Sequence, residues 1–120
     1  DIPILRKDFI LDPIQIYESK QIGADCILLI LSALSTEKFV ELFNVAKHLK
    51  LDVLVEVHNI DELKTALSND VNMIGINNRN LKTFSVDLNT SVEIAELVND
   101  NEIVLISESG IKNKKDILKL

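Results

Sequence analysis

The chain has 120 residues, of which 47% are hydrophobic and 27% are charged, and its formal net charge is -6. This length allows one domain or part of one, and the composition excludes a disordered or low-complexity chain. The negative charge disfavours nucleic acids and anionic membranes as partners, because both attract basic surfaces.

Five short apolar runs predict strands along the chain. They lie at residues 4–5, 26–31, 53–57, 71–76 and 103–106. Successive runs are roughly 20–30 residues apart, which is the repeat of a strand followed by a helix. Most runs are rich in Val, Ile and Leu and barely alternate with polar residues. We therefore expect strands that are buried on both faces, as in a parallel sheet.

The first two segments between these runs predict helices. Residues 13–22 would place Ile14, Tyr17 and Gln21 on one face and end before Gly23. Residues 35–49 would begin at a cap formed by Ser35 or Thr36. Their apolar residues fall at spacings of three and four: Phe39, Leu42, Phe43, Ala46 and Leu49.

Two later segments resemble helix starts with capping pairs. The first pair is Asn59 with Glu62, and that helix would bury Ile60, Leu63 and Leu67. The second pair is Thr90 with Glu93, and that helix would run to about residue 98. Residues 78–89 predict a polar loop, and residues 114–120 predict the start of a further helix.

The alternation of strands and helices predicts the α/β class with a parallel sheet. Two architectures fit this order, an open doubly wound sheet and a closed eight-stranded barrel. The chain lacks the glycine fingerprint of dinucleotide-binding folds and the phosphate-loop motif. Their absence weakens the case for a nucleotide-binding open sheet.

Neither a membrane span nor a signal peptide is predicted. The longest apolar run, residues 26–31, is far shorter than the roughly 20 residues that span a bilayer, and charged residues interrupt the start of the chain. The single cysteine, Cys26, excludes an internal disulfide and favours a reducing cytoplasm. The chain has no initiator Met and its last helix is short, so we expect a piece of a longer protein.

Polar side chains stand where several predicted strands end. Lys7 ends the first run, Glu56 lies within the third, and Asn77 and Arg79 follow the fourth. Glu108, Ser109 and Gly110 follow the fifth run. The carboxyl ends of parallel strands gather at one edge, which carries the active site in barrel enzymes. This edge is therefore the candidate active site.

Each charged residue also has an ordinary structural interpretation. Lys7 can be a surface lysine that caps the sheet edge. Glu56 can form a structural salt bridge, for instance with Lys7, because an isolated buried charge is costly. Arg79 and Glu108 can pair with neighbouring charges, and Asn77 can be a turn residue.

The remaining polar candidates are less specific. Ser109 and Gly110 suit an anion site, because backbone N–H groups before a helix attract phosphate, but they also fit an ordinary tight turn. His48 and His58 lack a second histidine or a cysteine at ligand spacing. A metal site is therefore not expected.

Five segments resemble, in order, the third to seventh strands of the indole-3-glycerol phosphate synthase family. They are PILRKDFI at 3–10 with the DP and QIY that follow, GAD at 23–25 with LLI at 28–30, LVEVH at 54–58, IGINNRNL at 74–81 and ISESGI at 106–111. The resemblance implies a (β/α)8 TIM barrel, of which residues 1–120 form an incomplete domain without strands one, two and eight.

The resemblance also implies a reaction in tryptophan biosynthesis. This is the decarboxylating and dehydrating ring closure of 1-(2-carboxyphenylamino)-1-deoxyribulose 5-phosphate to indole-3-glycerol phosphate, without metal or organic cofactor. Lys7 matches the general acid of ring closure. Glu56 matches a glutamate that moves protons or holds lysines in register.

The other matched positions imply substrate contacts. Asn77 and Arg79 match the pair that orients the anthranilate end, and Glu108 matches a glutamate at the ribulose hydroxyls. Ser109 and Gly110 match one half of the phosphate cradle. Phe9 and Leu28 match the apolar wall for the aromatic ring.

Two alternatives stay open. The chain can belong to another phosphate-binding barrel enzyme, such as a sugar-phosphate isomerase, or to a non-catalytic barrel fragment. Because the missing strands leave the barrel open, we expect the isolated chain to be inactive and to associate with itself through its open sheet edges.

Overall fold

The structure, a computed structural model, describes residues 2–120, which form strands and helices in alternation. In chain order these are β1 (Leu5–Arg6), α1 (Pro13–Gln21), β2 (Cys26–Ile30), a 3₁₀ turn (Leu31–Ala33), α2 (Thr36–His48), β3 (Asp52–Val57), α3 (Ile60–Leu67), β4 (Met73–Asn77), α4 (Asn89–Ala95), β5 (Val104–Glu108) and α5 (Lys114–Lys119). Within residues 2–120, every helix is too short or too polar to cross a membrane. The chain divides into two compact units, a first unit that ends at Glu56 and a second unit from Val57 to Leu120.

The first unit is built on parallel strand pairs. Residue Leu5 of β1 lies beside Cys26 of β2, and β2 pairs with β3 along its whole length, from Cys26 beside Asp52 to Ile30 beside Glu56. The central strand is buried on both faces, and its buried residues are Ile27, Leu28, Leu29 and Ile30. This burial and the parallel pairing confirm the predicted α/β class.

The second unit contains the parallel pair β4 and β5. Their register runs from Met73 beside Val104 to Asn77 beside Glu108. Both strands therefore end later than the apolar runs at 71–76 and 103–106. The pairing continues because the Asn78 N–H donates to the Glu108 carbonyl at 2.9 Å. As a result, Asn77 and Glu108 are the last residues of their strands.

Two of the predicted helix caps are confirmed. Ser35 caps α2 by accepting a hydrogen bond from the Lys38 N–H at 3.2 Å, and Asn59 caps α3 by accepting from the Glu62 N–H at 2.9 Å. The cap predicted at Thr90 is wrong, because α4 already begins at Asn89 without a side-chain cap on the preceding residue.

The three residues predicted to share one face of α1 lie on its exposed side. The structure buries Ile16 and Ser19 instead. Ile14, Tyr17 and Gln21 are all exposed. The reason is Arg6 of β1, whose guanidinium donates to the Gln15 carbonyl and to Ser19 Oγ, each at 3.0 Å. These bonds hold that side of the helix against the strand.

The predicted face of α3 is right at one position of three. Leu63 is buried as expected, and its companion is Ala66. Ile60 and Leu67, in contrast, are 44% and 39% exposed. The buried stripe of this short helix is therefore narrower than its apolar pattern indicates.

Candidate active site

In the first unit, Lys7 directly follows Arg6, whose side chain contacts α1. Arg6 reaches Gln15 and Ser19 of that helix. Successive side chains of extended backbone point to opposite faces, so Lys7 lies on the face opposite α1. Lys7 is exposed there, directly after β1 ends.

Strand register places Leu28 and Glu56 on the same face as Lys7. Arg6 lies beside Ile27, so the next residue of β2, Leu28, points to the opposite face. Leu28 lies beside Leu54 of β3, and Glu56 is two residues further along that strand. The face opposite α1 therefore carries a lysine, a leucine and a carboxylate.

These residues differ in exposure. Glu56 is 2% exposed and Leu28 is also 2% exposed, so both are enclosed by the fold. Phe9 is 55% exposed in the segment after β1, where its N–H donates to Asp8 Oδ1 at 2.8 Å. Of the two predicted wall residues, Phe9 presents its ring to solvent and Leu28 packs in the core.

Arg6 is an important residue of this unit that is not among the predicted site residues. Besides its bonds to α1, its guanidinium lies 3.3 Å from the Glu18 carboxylate and 3.6 Å from the Asp8 carboxylate. The sequence does carry a signal for Arg6, because an arginine directly after an apolar run needs partners for its charge, as Glu56 does.

In the second unit, Asn77 and Glu108 share a face. They lie side by side in the parallel register at the ends of β4 and β5, and Asn77 is 9% exposed. Asn77 Oδ1 accepts a hydrogen bond from the Arg79 N–H at 2.9 Å. Arg79 also forms an isolated antiparallel bridge with Val86. The Arg79 backbone is thus held in place, and its side chain is exposed.

A buried polar network lies on the other face of these strands. Asn78 accepts hydrogen bonds from the Ser91 N–H at 3.1 Å and from Ser91 Oγ at 2.9 Å. It donates through Nδ2 to Ser107 Oγ at 3.0 Å and to the Ser109 carbonyl at 3.1 Å. Ser91 and Ser107 are themselves 2.7 Å apart through their hydroxyls. Asn78, Ser91 and Ser107 are not among the predicted site residues.

The turn after β5 has a demanding backbone. Ser109 has a φ of 69° and Gly110 has a φ of 83°, both in the left-handed region. A Cβ on Gly110 would overlap Cγ1 of Val86, so only glycine fits there without a shift of the loop. The backbone therefore turns tightly here, which is compatible with both interpretations of Ser109 and Gly110.

A cavity of about 490 Å³ lies on the network side of the second unit, against α4 and α5. Ile76 and Ser107, register partners in β4 and β5, both line it. Asn77 and Glu108 are the next residues and point to the opposite face. The cavity is therefore separate from the face that carries the predicted site residues.

One carboxylate in the first turn of α3 has a shifted pKa. Glu62 accepts the His58 N–H at 2.7 Å, and its Oε2 lies 3.3 Å from His58 Nδ1. Burial raises the pKa of Glu62, but the hydrogen bonds from His58 outweigh it and leave the pKa below the ordinary value.

Within residues 2–120, no three His, Cys, Asp or Glu side chains form a metal-ligand group.

Comparison with known proteins gives one family. A family model described as Indole-3-glycerol phosphate synthase matches residues 1–120. A protein of that name from Lachnospira eligens is 52% identical over 121 residues, which is 98% of this chain and 45% of the relative. Another from Carboxydothermus hydrogenoformans is 45% identical over 119 residues, which is 99% of this chain and 45% of that relative. The chain thus spans about half the length of the curated relatives it matches.

A solved structure supports the architecture. The crystal structure of citrate synthase SbnG matches 81% of this chain and 39% of its own, with a TM-score of 0.63 and 20% identity. At that identity the likeness concerns the fold alone.

Proposed function

The chain belongs to the indole-3-glycerol phosphate synthase family, and on this premise we propose that its protein closes the indole ring of 1-(2-carboxyphenylamino)-1-deoxyribulose 5-phosphate. The observation that carries the proposal is the family match over residues 1–120, which includes every strand end with a candidate residue. The product would be indole-3-glycerol phosphate, and the protein would act in tryptophan biosynthesis. The reaction releases carbon dioxide and water and is redox-neutral, so it calls for no cofactor.

Lys7 would be the general acid. An ammonium group at the substrate carbonyl polarises it and can protonate the oxygen as the ring closes. The exposed position of Lys7 after β1 gives a ligand access to this group. Glu56 would move protons during dehydration, because a carboxylate that is 2% exposed is shielded from the competing protons of bulk water.

Arg79 would bind the carboxylate at the anthranilate end of the substrate. A guanidinium donates two parallel hydrogen bonds to a carboxylate, and the Arg79 side chain is exposed. Asn77 supports this role because its side chain holds the Arg79 backbone. Glu108, which pairs in register with Asn77, would accept hydrogen bonds from the ribulose hydroxyls.

The phosphate and the aromatic ring would use the remaining residues. Ser109 and Gly110 would form half of the phosphate cradle, and their left-handed backbone supports a turn built to present N–H groups. Phe9 would contact the aromatic ring, and Leu28, which packs in the core, would belong to the apolar wall behind it. A phosphorylated small molecule is thus the proposed partner, and the cytoplasmic location stays a prediction.

The proposal is tested by ring closure in a completed protein. Residues 1–120 would be joined to the segments that the Lachnospira eligens relative carries outside the matched region, and indole fluorescence would be followed after substrate addition. This chain adds little background because it has no Trp and one Tyr.

We expect the completed protein to form the indole product at a rate comparable to that of the relative. A folded protein that binds the substrate without forming the product would contradict the proposed reaction. In that case the fold assignment would be unaffected. The two alternatives to test would then be a sugar-phosphate isomerase and a non-catalytic barrel fragment.

A further inference from the structure

The Asn78 side chain is saturated with hydrogen bonds inside the second unit. A carboxamide has two N–H donors and an oxygen with two lone pairs. Asn78 accepts twice from Ser91 and donates once each to Ser107 and Ser109. At 3% exposure it is closed to solvent. The side chain therefore has no capacity left for a ligand and must act through its partners.

The partners fix which way the amide points. The Ser91 backbone N–H can only donate, so Asn78 must present its oxygen there. The Ser109 carbonyl can only accept, so Asn78 must present its nitrogen there. Neither requirement can be met by the flipped amide. The bond from Asn78 to the Ser109 carbonyl is thus directional.

This bond fixes the orientation of the peptide group that joins Ser109 to Gly110. In a planar trans peptide the carbonyl and the next N–H point in opposite directions. Because Asn78 holds the Ser109 carbonyl, it directs the Gly110 N–H away from the buried network. The left-handed backbone of Ser109 has a φ of 69° and is unfavourable for a non-glycine residue, so it needs such a restraint.

We propose that Asn78 is a positioning residue, which holds the Ser109 carbonyl so that the Gly110 N–H is aimed at the phosphate group of the substrate. This inference rests on the proposed function, because the phosphate half-cradle belongs to it. Asn78 does not touch the substrate; Gly110 does. An anion is best bound by N–H groups that are oriented before it arrives, since no reorientation is then needed.

The test compares two variants of the completed protein. Asn78→Asp keeps the size and the oxygen that faces Ser91, but it replaces the donor to the Ser109 carbonyl with a second oxygen. Ser91→Ala is the matched control, because it removes a hydroxyl from the same network and leaves the bond between Asn78 and Ser109 intact. The probes are inorganic phosphate, measured by calorimetry, and the substrate with and without its phosphate group.

We expect Asn78→Asp to weaken inorganic phosphate binding roughly tenfold, because the Gly110 N–H is then no longer oriented to donate its hydrogen bond to the charged phosphate. The KM for the phosphorylated substrate should rise by a similar factor, with kcat changed less and the affinity for the dephosphorylated substrate unchanged. Ser91→Ala should lower the melting temperature while phosphate binding stays within about twofold. If Asn78→Asp binds phosphate as tightly as the unsubstituted protein, the inference is overturned.

A second measurement needs no variant and stands if Asn78→Asp fails to fold. In the unsubstituted completed protein, the amide signal of Gly110 should shift strongly on titration with inorganic phosphate in a ¹⁵N NMR spectrum. A Gly110 signal that stays fixed while others shift would overturn the inference. Both readouts are independent of turnover, so loss of ring closure with phosphate binding at Gly110 intact would count against the proposed function alone.

Discussion

At the scale of the single residue, Arg79 combines a fixed backbone with an exposed guanidinium. Asn77 accepts its N–H at 2.9 Å. We expect Arg79→Lys to raise the KM of the completed protein roughly tenfold and to change kcat less, because lysine keeps the charge and loses the planar fork. Steady-state kinetics would measure both constants. The matched control is Lys82→Ala, which removes a charge from the same loop, and an unchanged KM in Arg79→Lys would contradict the role.

Gly110 is the residue whose substitution the backbone forbids most clearly. Gly110→Ala should lower the free energy of unfolding by more than the roughly 1–2 kcal/mol that left-handed backbone costs an L-residue, since its Cβ also overlaps Val86. Gly23→Ala is the control: Gly23 has a φ of 90° and open space around the Cβ position. Urea unfolding of both variants would measure the difference. Equal losses would show that the overlap with Val86 is relieved without cost.

The candidate site residues divide into those that the sequence reveals and those that it hides. Lys7 and Glu56 are visible because a charge beside or inside an apolar run needs a reason. Asn78 is hidden because its partners lie 13, 29 and 31 positions away, and no local pattern links them. Its role depends on which strand ends come together, and only the fold supplies that.

At the scale of the element, the start of α3 carries a pH-dependent contact. Hydrogen bonds from His58 outweigh burial and lower the pKa of Glu62. A depressed folded-state pKa stabilises the fold above the unfolded value of about 4.3, and this stability is lost as the pH falls through the folded pKa. Glu62→Gln should therefore cost about 1 kcal/mol at neutral pH and progressively less below about pH 4.

Urea unfolding of the completed protein between neutral pH and about pH 3 would measure this convergence. Asp61→Asn is the matched control, because it removes an exposed carboxylate from the same first turn. A cost of Glu62→Gln that stays constant over this range would contradict the role of the carboxylate charge.

The sequence predicts a helix boundary correctly where the residues that set it are close together in the chain. The caps at Ser35 and Asn59 are correct because each bond joins residues three positions apart. The start of α4 differs because Asp87, before the helix, accepts the Asn89 N–H, so the capping pair expected at Thr90 is not needed. The buried face of α1 has no local determinant, because Arg6 of another element selects it.

At the scale of the whole molecule, the described residues leave large apolar side chains exposed. Ile2 is 87% exposed and Leu118 is 75% exposed. We expect the 120-residue chain alone to self-associate, because exposed apolar surface favours contact with other copies. We also expect it to form no indole product. Sedimentation velocity and the fluorescence assay would test both, with the completed protein as control, and a monomeric chain with the turnover of the relative would contradict both.

Single-turnover ring closure by Lys7→Ala in the completed protein is the sharpest test of the proposed reaction. We expect a loss in rate of roughly 10²-fold or more, because a positioned general acid contributes that much, while substrate binding is largely kept. Lys20→Ala, which removes an exposed lysine from α1, should leave the rate unchanged. Normal ring closure by Lys7→Ala would overturn the proposed role of Lys7, because the lysine after β1 would then have no part in the chemistry.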